Sequence, residues 1–224
     1  MPTGANNFFL MSFIDGCVFL HPLGSHSLSR CVRELKELGF TGMVACGSSE
    51  NYPNDTGFKI FNARYIRGPS QREIRKEVQI ALREGSLSLV QAGESSVNRT
   101  ILTTPGVTTL CDLHLAPKNA FDRVCALNAA EHQVAIDFRV TPLRELRGTP
   151  RQRVIRLYEE ILHLQNRYEF PITISSGAVF PGNFRSPRAT EALLSEVGMD
   201  RDLIHEGYKA IQNLSHKSEP VRVV

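Results

Sequence analysis

Short runs of branched and apolar residues alternate along the chain with longer stretches in which apolar side chains recur every three or four positions. Branched side chains suit a crowded pleated sheet, whereas the three-to-four spacing places side chains on one face of a helix. The pattern therefore predicts seven strands that alternate with helices. The predicted strands span residues 11–20, 43–46, 58–65, 87–90, 107–110, 134–138 and 172–176.

The predicted helices carry start and stop signals at their ends. Gly39 and Gly85 each follow a helix, because glycine readily adopts the left-handed conformation that ends one. Thr149 is predicted to cap the longest helix, with Pro150 in its first turn and an apolar stripe formed by Val154, Leu157, Ile161, Leu164 and Tyr168. The predicted helices span residues 25–38, 69–84, 94–104, 119–131, 149–168, 188–197 and 201–214, and the polar residues 47–57 are predicted to form a surface loop.

Seven strands joined by helices predict a parallel sheet, because each crossover helix returns the chain to the same edge. An open doubly wound sheet and a closed barrel both satisfy this topology. A doubly wound sheet that binds a dinucleotide is typically marked by GxGxxG after its first strand. The chain reads GCVFLHPLGS after Asp15 instead, which favours a closed (β/α) barrel.

The composition allows this barrel to form one domain over residues 1–224. The chain is 42% hydrophobic, and about its last ten residues are expected to form a frayed tail. Its 26 Lys and Arg exceed its 23 Asp and Glu by three, which permits an anionic partner without requiring one. The five cysteines include no CxxC pair, and no export signal or membrane span is evident. We therefore expect a cytoplasmic protein with reduced cysteines.

Four titratable residues in or beside predicted strands could form a metal or acid/base site. They are Asp15, Asp112, His114 and Asp137. Barrel enzymes gather such groups at strand ends. The chain has no HxH after its first strand and no HExxH, and its one DxH is too short a motif to identify a site. The spacing favours a structural role for each carboxylate, paired with an arginine or with backbone donors.

The seventh strand ends in Ser175, Ser176 and Gly177, where barrel chemistry is usually found. No GxSxG motif surrounds these serines, and no His/Asp partner can be assigned to them. We interpret the three residues as a structural turn with no catalytic role. Ser186 is predicted to cap the helix that follows, with Pro187 as its first residue.

Arginines follow the last two predicted strands in unusual density. Arg139, Arg144, Arg147, Arg151, Arg153 and Arg156 follow the sixth strand, and Arg185 and Arg188 follow the seventh. Their planar, forked donors suit phosphate oxygens, so this edge is a candidate nucleic-acid surface. A merely solvated helix face explains the same charges equally well. The chain shows no interleaving of aromatic residues of the RNP or OB type, so base-specific recognition is not predicted.

Three segments resemble a known family. They are AFDRVCALNAAEHQVAIDFRVTPL at residues 120–143, PITISSGA at 171–178 and RSPRATEALLSEVGM at 185–199. In order and spacing they resemble the protein component 3 family of archaeal ribonuclease P, whose eukaryotic relatives form the p30 subunit. The resemblance is specific over residues 111–199, and upstream the FIDG strand and the helix that ends in ELGF agree with it.

The resemblance implies a distorted, TIM-like (β/α) barrel of about seven parallel strands, related to metal-dependent hydrolases of the polymerase-and-histidinol-phosphatase (PHP) group but without their metal site. It implies a non-catalytic protein subunit that helps the ribonuclease P RNA, with its Mg²⁺, to remove the 5′ leader of precursor tRNA. The implied partners are that RNA, a small Pop5-type protein and other ribonuclease P proteins.

Within this resemblance Arg185 and Arg188 match basic positions and are predicted to face RNA, and we add Arg139 and Arg147. No bound metal or protein cofactor is expected. Two alternatives remain. One is a PHP-like metal-dependent phosphohydrolase that uses Asp15, Asp112, His114 and Asp137. The other is a protein-interaction subunit without RNA contact.

Overall fold

The computed structural model of the protein describes residues 12–25, 27–47, 57–68 and 70–215. Seven parallel strands form one sheet in which each strand pairs with the next along the chain. The prediction of about seven parallel strands in a TIM-like barrel is confirmed. The strands are β1 (Ile14–Phe19), β2 (Gly42–Cys46), β3 (Lys59–Ile66), β4 (Leu87–Gln91), β5 (Thr109–Cys111), β6 (Ala135–Arg139) and β7 (Ile172–Ser175).

The sheet closes through a short contact between its first and last strands. Val18 in β1 bridges Ala178, which lies just beyond β7, and Phe19 N donates to Ala178 O at 2.9 Å. A Cβ at Gly16 would lie 2.8 Å from the carbonyl oxygen of Ile174, so only glycine permits this close approach. Closure by one bridge, with a register shift inside β1, makes the barrel distorted and nearly closed.

Helices surround the sheet, and most of them match the predicted segments. Among the described residues, no helix is both long and apolar enough to cross a membrane. The helices are α1 (Leu28–Glu37), α2 (Gln71–Arg83), α3 (Ser95–Leu102), α4 (Arg123–His132), α5 (Thr141–Glu145), α6 (Gly148–Tyr168), α7 (Pro187–Ser195) and α8 (Arg201–Ser215).

Helix starts account for most differences from the prediction. Asn119 was predicted to begin α4, but it has a φ of +61°, and the helix begins four residues later after its cap Asp122. Helix α6 begins at Gly148, so Thr149 lies inside the helix and does not cap it. The prediction that Ser186 caps α7 is confirmed, because its side chain accepts from Ala189 N.

Some predicted features lie outside the described residues. These are the strand start at Met11, the helix start at Pro69, most of the loop at 47–57 and the tail beyond residue 215. The described start of α2 is Gln71, where the Ser70 side chain accepts from Glu73 N at 3.3 Å.

Helix α6 packs on the outer face of the barrel and holds β6 in place. Its buried face comprises Val154, Tyr158, Ile161 and Leu162, whereas Leu157, Leu164 and Tyr168 of the predicted stripe are only half-buried. The Tyr158 hydroxyl donates to the Arg139 carbonyl at 2.8 Å and accepts from the Arg139 N–H at 3.1 Å. The position of Arg139 at the end of β6 is therefore fixed from outside the barrel.

Candidate functional site

The carboxyl end of the barrel contains a buried arginine. Side chains alternate along β6, so Ile136 and Phe138 pack with the outer core while Asp137 and Arg139 point inward. Arg139 Nη1 donates to Asp112 Oδ1, and its Nε lies 3.6 Å from Asp137 Oδ2. The guanidinium carbon lies 5.3 Å from the centre of the Phe19 ring. With only 8% of its side chain exposed, Arg139 is part of the barrel interior.

The two carboxylates beside this arginine also accept from other side chains. The Tyr65 hydroxyl donates to Asp112 Oδ2. The Ser175 hydroxyl donates to Asp137 Oδ2 at 2.7 Å, and the Thr173 hydroxyl donates to Asp137 Oδ1 at 3.3 Å. Asp112 and Asp137 therefore have partners on both oxygens, as buried charges require.

Burial shifts the pKa of two carboxyl groups upward. It raises the pKa of Asp137 to about 6, although the nearby Arg139 opposes the shift. Burial also raises the pKa of Asp15 to about 6, against the hydrogen bonds that Ser176 and Cys17 donate. Both groups are ionised near neutral pH, at a cost to folding that low pH removes.

The turn after β7 fastens the barrel end. Ser176 N donates to Asp15 Oδ1 at 2.9 Å, and Gly177 N donates to the Cys17 carbonyl at 3.0 Å. Gly177 has a φ of +61°, and a Cβ there would overlap the aliphatic part of Arg139. The predicted turn residues Ser175, Ser176 and Gly177 thus lie against the buried arginine and join β7 to β1.

This interior does not fit a bound divalent metal ion. The Arg139 guanidinium already supplies positive charge beside Asp112 and Asp137, and a second cation there would be repelled. Burial lowers the pKa of His114 to about 4, and its Nδ1 lies 3.9 Å from Asp112 Oδ1. Within the described ranges, no group of three or more His, Cys, Asp or Glu is placed to hold a metal ion. The expected partners are present, since Arg139 lies beside Asp112 and Asp137 and backbone N–H groups donate to Asp15. That these carboxylates have a purely structural role stays a prediction.

A second set of arginines lies on the outside of the same end of the barrel. Arg144 Nη1 and Arg185 Nη1 both donate to the Gly182 carbonyl, at 2.7 and 3.1 Å. Arg147 donates to the Arg144 carbonyl. Arg144, Arg147 and Arg151 line one surface depression. We call Arg144, Arg147, Arg151 and Arg185 the arginine surface.

The charges of the arginine surface are close enough to affect one another. Partial burial and then the positive charge of Arg185 lower the pKa of Arg144 from its usual value. Glu145 and Glu196 each pair with one member, Glu145 with Arg144 at 2.6 Å and Glu196 with Arg151 at 3.0 Å. Arg147 is exposed and Arg185 half-buried, so guanidinium groups remain available to an anionic partner.

The structure thus separates the predicted RNA-facing arginines. Arg147 and Arg185 belong to the arginine surface, and Arg188 is exposed in the first turn of α7. Arg139 does not, because its guanidinium is enclosed by the barrel. The interpretation of Arg139 as RNA-facing is therefore corrected, and it is a structural residue.

Sequence reasoning did not identify the residue that shapes the outer loop. Asn183 is 3% exposed, and its Oδ1 accepts from Val179 N at 3.1 Å and from Phe180 N at 3.2 Å. Its Nδ2 donates to Glu145 at 2.5 Å, which joins the loop after β7 to α5. The Pro-Gly-Asn sequence was a turn signal, but it did not reveal this long-range bond.

Known proteins resemble this chain over most of its length. The family model described as RNase P subunit p30 matches residues 12–217. Ribonuclease P protein component 3 of Methanosarcina barkeri is 26% identical over 197 residues, covering 85% of this chain and 82% of that protein. The protein of the same name from Methanosarcina acetivorans is 26% identical over 212 residues, covering 92% and 87%.

Solved structures share the barrel. A chain in the cryo-EM structure of archaeal ribonuclease P with mature tRNA gives a TM-score of 0.75 at 20% identity, covering 92% of this chain and 90% of that one. Histidinol phosphate phosphatase from Lactococcus lactis gives 0.55 at 10% identity, covering 91% and 94%. At these identities the likeness shows the fold alone.

Proposed function

The chain belongs to the RNase P subunit p30 family, and we propose that it is a protein subunit of ribonuclease P that supports removal of the 5′ leader from precursor tRNA. Its partners are the ribonuclease P RNA, a small Pop5-type protein and further ribonuclease P proteins in the cytoplasm. Precursor tRNA is engaged by the assembled enzyme.

The observation that carries the proposal is the arginine surface. Four arginines lie together after β6 and β7, and two of them share the Gly182 carbonyl. Forked guanidinium donors bind phosphate oxygens in pairs, and their charge reduces repulsion between RNA strands that approach one another. A subunit with this surface stabilises a compact RNA fold without reading its sequence.

The chain itself is proposed to be non-catalytic. In hydrolases of related fold the barrel mouth is the usual site of chemistry. Here Arg139 neutralises Asp112 and Asp137 in that mouth, so these carboxylates do not act as ligands or as a general base. The RNA and its Mg²⁺ carry out phosphodiester hydrolysis, and the protein holds the RNA in place. For the same reason the phosphohydrolase alternative is not proposed.

The test is reconstitution of precursor tRNA cleavage from the RNA and the partner proteins, with and without this chain, across a Mg²⁺ titration. We expect the chain to lower the Mg²⁺ concentration needed for half-maximal cleavage. Equal cleavage with and without it at limiting Mg²⁺ would contradict the proposal.

A paired set of variants tests the surface. The Arg185→Ala/Arg188→Ala double variant should weaken RNA crosslinking and raise the Mg²⁺ requirement. The matched control is Arg72→Ala/Arg75→Ala, which removes two exposed charges from α2 and should leave both measurements unchanged. Equal losses in the two double variants would indicate a general charge effect. Unchanged crosslinking in the first would favour an interaction subunit without RNA contact at this surface.

A further inference from the structure

One aromatic ring stands out from the surface beside the arginines. Phe180 is 49% exposed and its neighbour Val179 is 43% exposed. Every other phenylalanine and tyrosine in the described ranges is buried or half-buried, including Phe184, which is 4% exposed. The loop after β7 therefore places one of its two rings in the core and the other in solvent.

The exposed ring is held by a rigid loop. Pro181 fixes the backbone after Phe180, and the buried Asn183 side chain accepts from Phe180 N. A Cβ at Gly182 would lie 3.1 Å from Phe180 Cε2, so the ring rests against the loop's own backbone. A ring positioned in this way loses little conformational entropy when a partner binds.

Two guanidinium groups bind the backbone next to this ring. Arg144 and Arg185 both donate to the carbonyl of Gly182, the residue that the Phe180 ring contacts. Arg185 uses one terminal nitrogen for its bonds to Gly182 and Phe184. Because a guanidinium has five N–H donors, further donors remain for a phosphate.

We infer that Phe180 is a stacking platform for an unpaired RNA nucleotide, whose flanking phosphates bind Arg185 and Arg144. An exposed aromatic ring beside cations is the arrangement with which proteins bind single-stranded nucleic acid. An RNA strand matches both the ring and the arginines, since its flat bases can stack on Phe180 and its anionic phosphates can bind the guanidinium groups. Because stacking tolerates any base, the inference requires no base-specific recognition.

This inference rests on the proposed function and narrows it. The arginine surface alone could hold a duplex backbone, which offers phosphates but no free base. Phe180 adds a requirement for an unstacked nucleotide, such as one in a loop or bulge. A protein partner that covers Phe180 and Val179 is the competing occupant.

The test measures the affinity of the full chain, with its partner proteins, for the ribonuclease P RNA across a range of salt concentrations. The Phe180→Ala variant should bind about 5- to 150-fold more weakly, the range expected for loss of one stacked base. Its salt dependence should stay unchanged because both phosphate-binding arginines are still present. Phe180→Trp should retain the affinity, and the matched control Val179→Ala should lose less than about twofold.

Zero-length crosslinking then identifies what lies on the ring. We expect a crosslink from residue 180 to an unpaired nucleotide. An affinity of Phe180→Ala within about twofold of the original, or a crosslink to a base-paired nucleotide, overturns the inference. A variant that keeps its RNA affinity but loses a partner protein in the absence of RNA identifies a protein docking site instead.

The two proposals fail in distinguishable ways. If Arg185→Ala weakens RNA binding while Phe180→Ala does not, the stacking inference fails and the subunit proposal stands. If the RNA is cleaved equally well without the chain, the subunit proposal fails, and the inference that rests on it fails too. Thermal unfolding of Phe180→Ala should match that of the original chain, because the ring is half in solvent.

Discussion

Replacement of Arg139 by methionine tests whether this residue is the internal cation of the barrel. Methionine retains much of the side-chain volume and removes the charge. The variant leaves Asp112 and Asp137 buried, 1% and 3% exposed, with no cation between them. It also removes the cation from the face of the Phe19 ring. We therefore expect the free energy of unfolding to fall and the barrel mouth to loosen.

The expected loss follows from the geometry of the ion pair. Removing one partner from a buried pair costs about 3–5 kcal/mol, because the remaining charge loses its compensation. The free energy of unfolding of such domains is about 5–15 kcal/mol, so the variant should still fold but should lose a large share of that free energy. The exposed control Arg153→Met should change stability by less than about 0.5 kcal/mol.

The pH dependence distinguishes the loss of a charge pair from the loss of side-chain packing. The pKa of Asp137 is about 6 in the folded chain against 3.8 in the unfolded chain. Its contribution to the free energy of unfolding is therefore most favourable at low pH and is lost as the pH rises through the folded pKa. Without Arg139 that folded pKa rises further. The deficit of Arg139→Met should therefore be larger at about pH 8 than at about pH 5.

Urea unfolding followed by circular dichroism measures this difference. Adding Asp112→Asn to Arg139→Met should recover part of the stability, because one uncompensated charge is then gone, and a double-mutant cycle gives the coupling energy. A deficit below about 1 kcal/mol, or one of equal size at both pH values, would refute the view of Arg139 as a structural cation.

Three further predictions concern the same end of the barrel. Gly177→Ala should cost more than about 2 kcal/mol in urea unfolding, because its Cβ would overlap Arg139, whereas Gly85→Ala, with a similar φ and nothing within 4 Å, should cost only about 1 kcal/mol of backbone strain. Asp15→Asn should flatten the fall in melting temperature that accompanies a rise from about pH 4 to pH 6, since that carboxyl has a folded pKa of about 6; an unchanged profile would assign the fall to other groups. RNA affinity should decrease steeply with salt, and Arg185→Ala should reduce the logarithmic slope by about 0.7–0.9 for each phosphate that the variant no longer neutralises, whereas an unchanged slope would place Arg185 away from phosphate.

Local patterns sufficed for the strands but not for the closure of the barrel. Branched runs such as Ile172–Ser175 favour a strand, because their side chains fit a pleated, buried surface. Closure depends on Gly16 meeting the Ile174 carbonyl and on a bridge from Val18 to Ala178, contacts between residues more than 150 positions apart. The five-residue helix α5 was missed because it is too short to show a period.

The role of Arg139 could have been inferred from its strand. Ile136 and Phe138 alternate with Asp137 and Arg139, so one face of β6 is apolar and the other charged. The apolar face packs against helices, which sends the charged face into the barrel. The number of arginines in a segment does not distinguish Arg139, which lies on a strand, from Arg185, which lies in a loop. The alternation of apolar and charged residues along β6 does distinguish them, because it assigns Arg139 to the inner face of a strand.

The buried Arg139 and the arginine surface lie at the same end of the barrel and are linked through the loop after β7. Arg139 supplies positive charge beside the buried Asp112 and Asp137 inside the barrel. The loop after β7 has two parts. Its Ser176 and Gly177 bind β1 and close the barrel, and its outer part carries Arg185 and the exposed Phe180 ring. A change in the barrel interior should therefore alter the position of the arginine surface. Arg139→Met leaves every member of the arginine surface unchanged, but it should weaken RNA binding to the extent that it loosens the loop after β7. If RNA affinity stays constant while stability falls, the inner and outer arginines act independently.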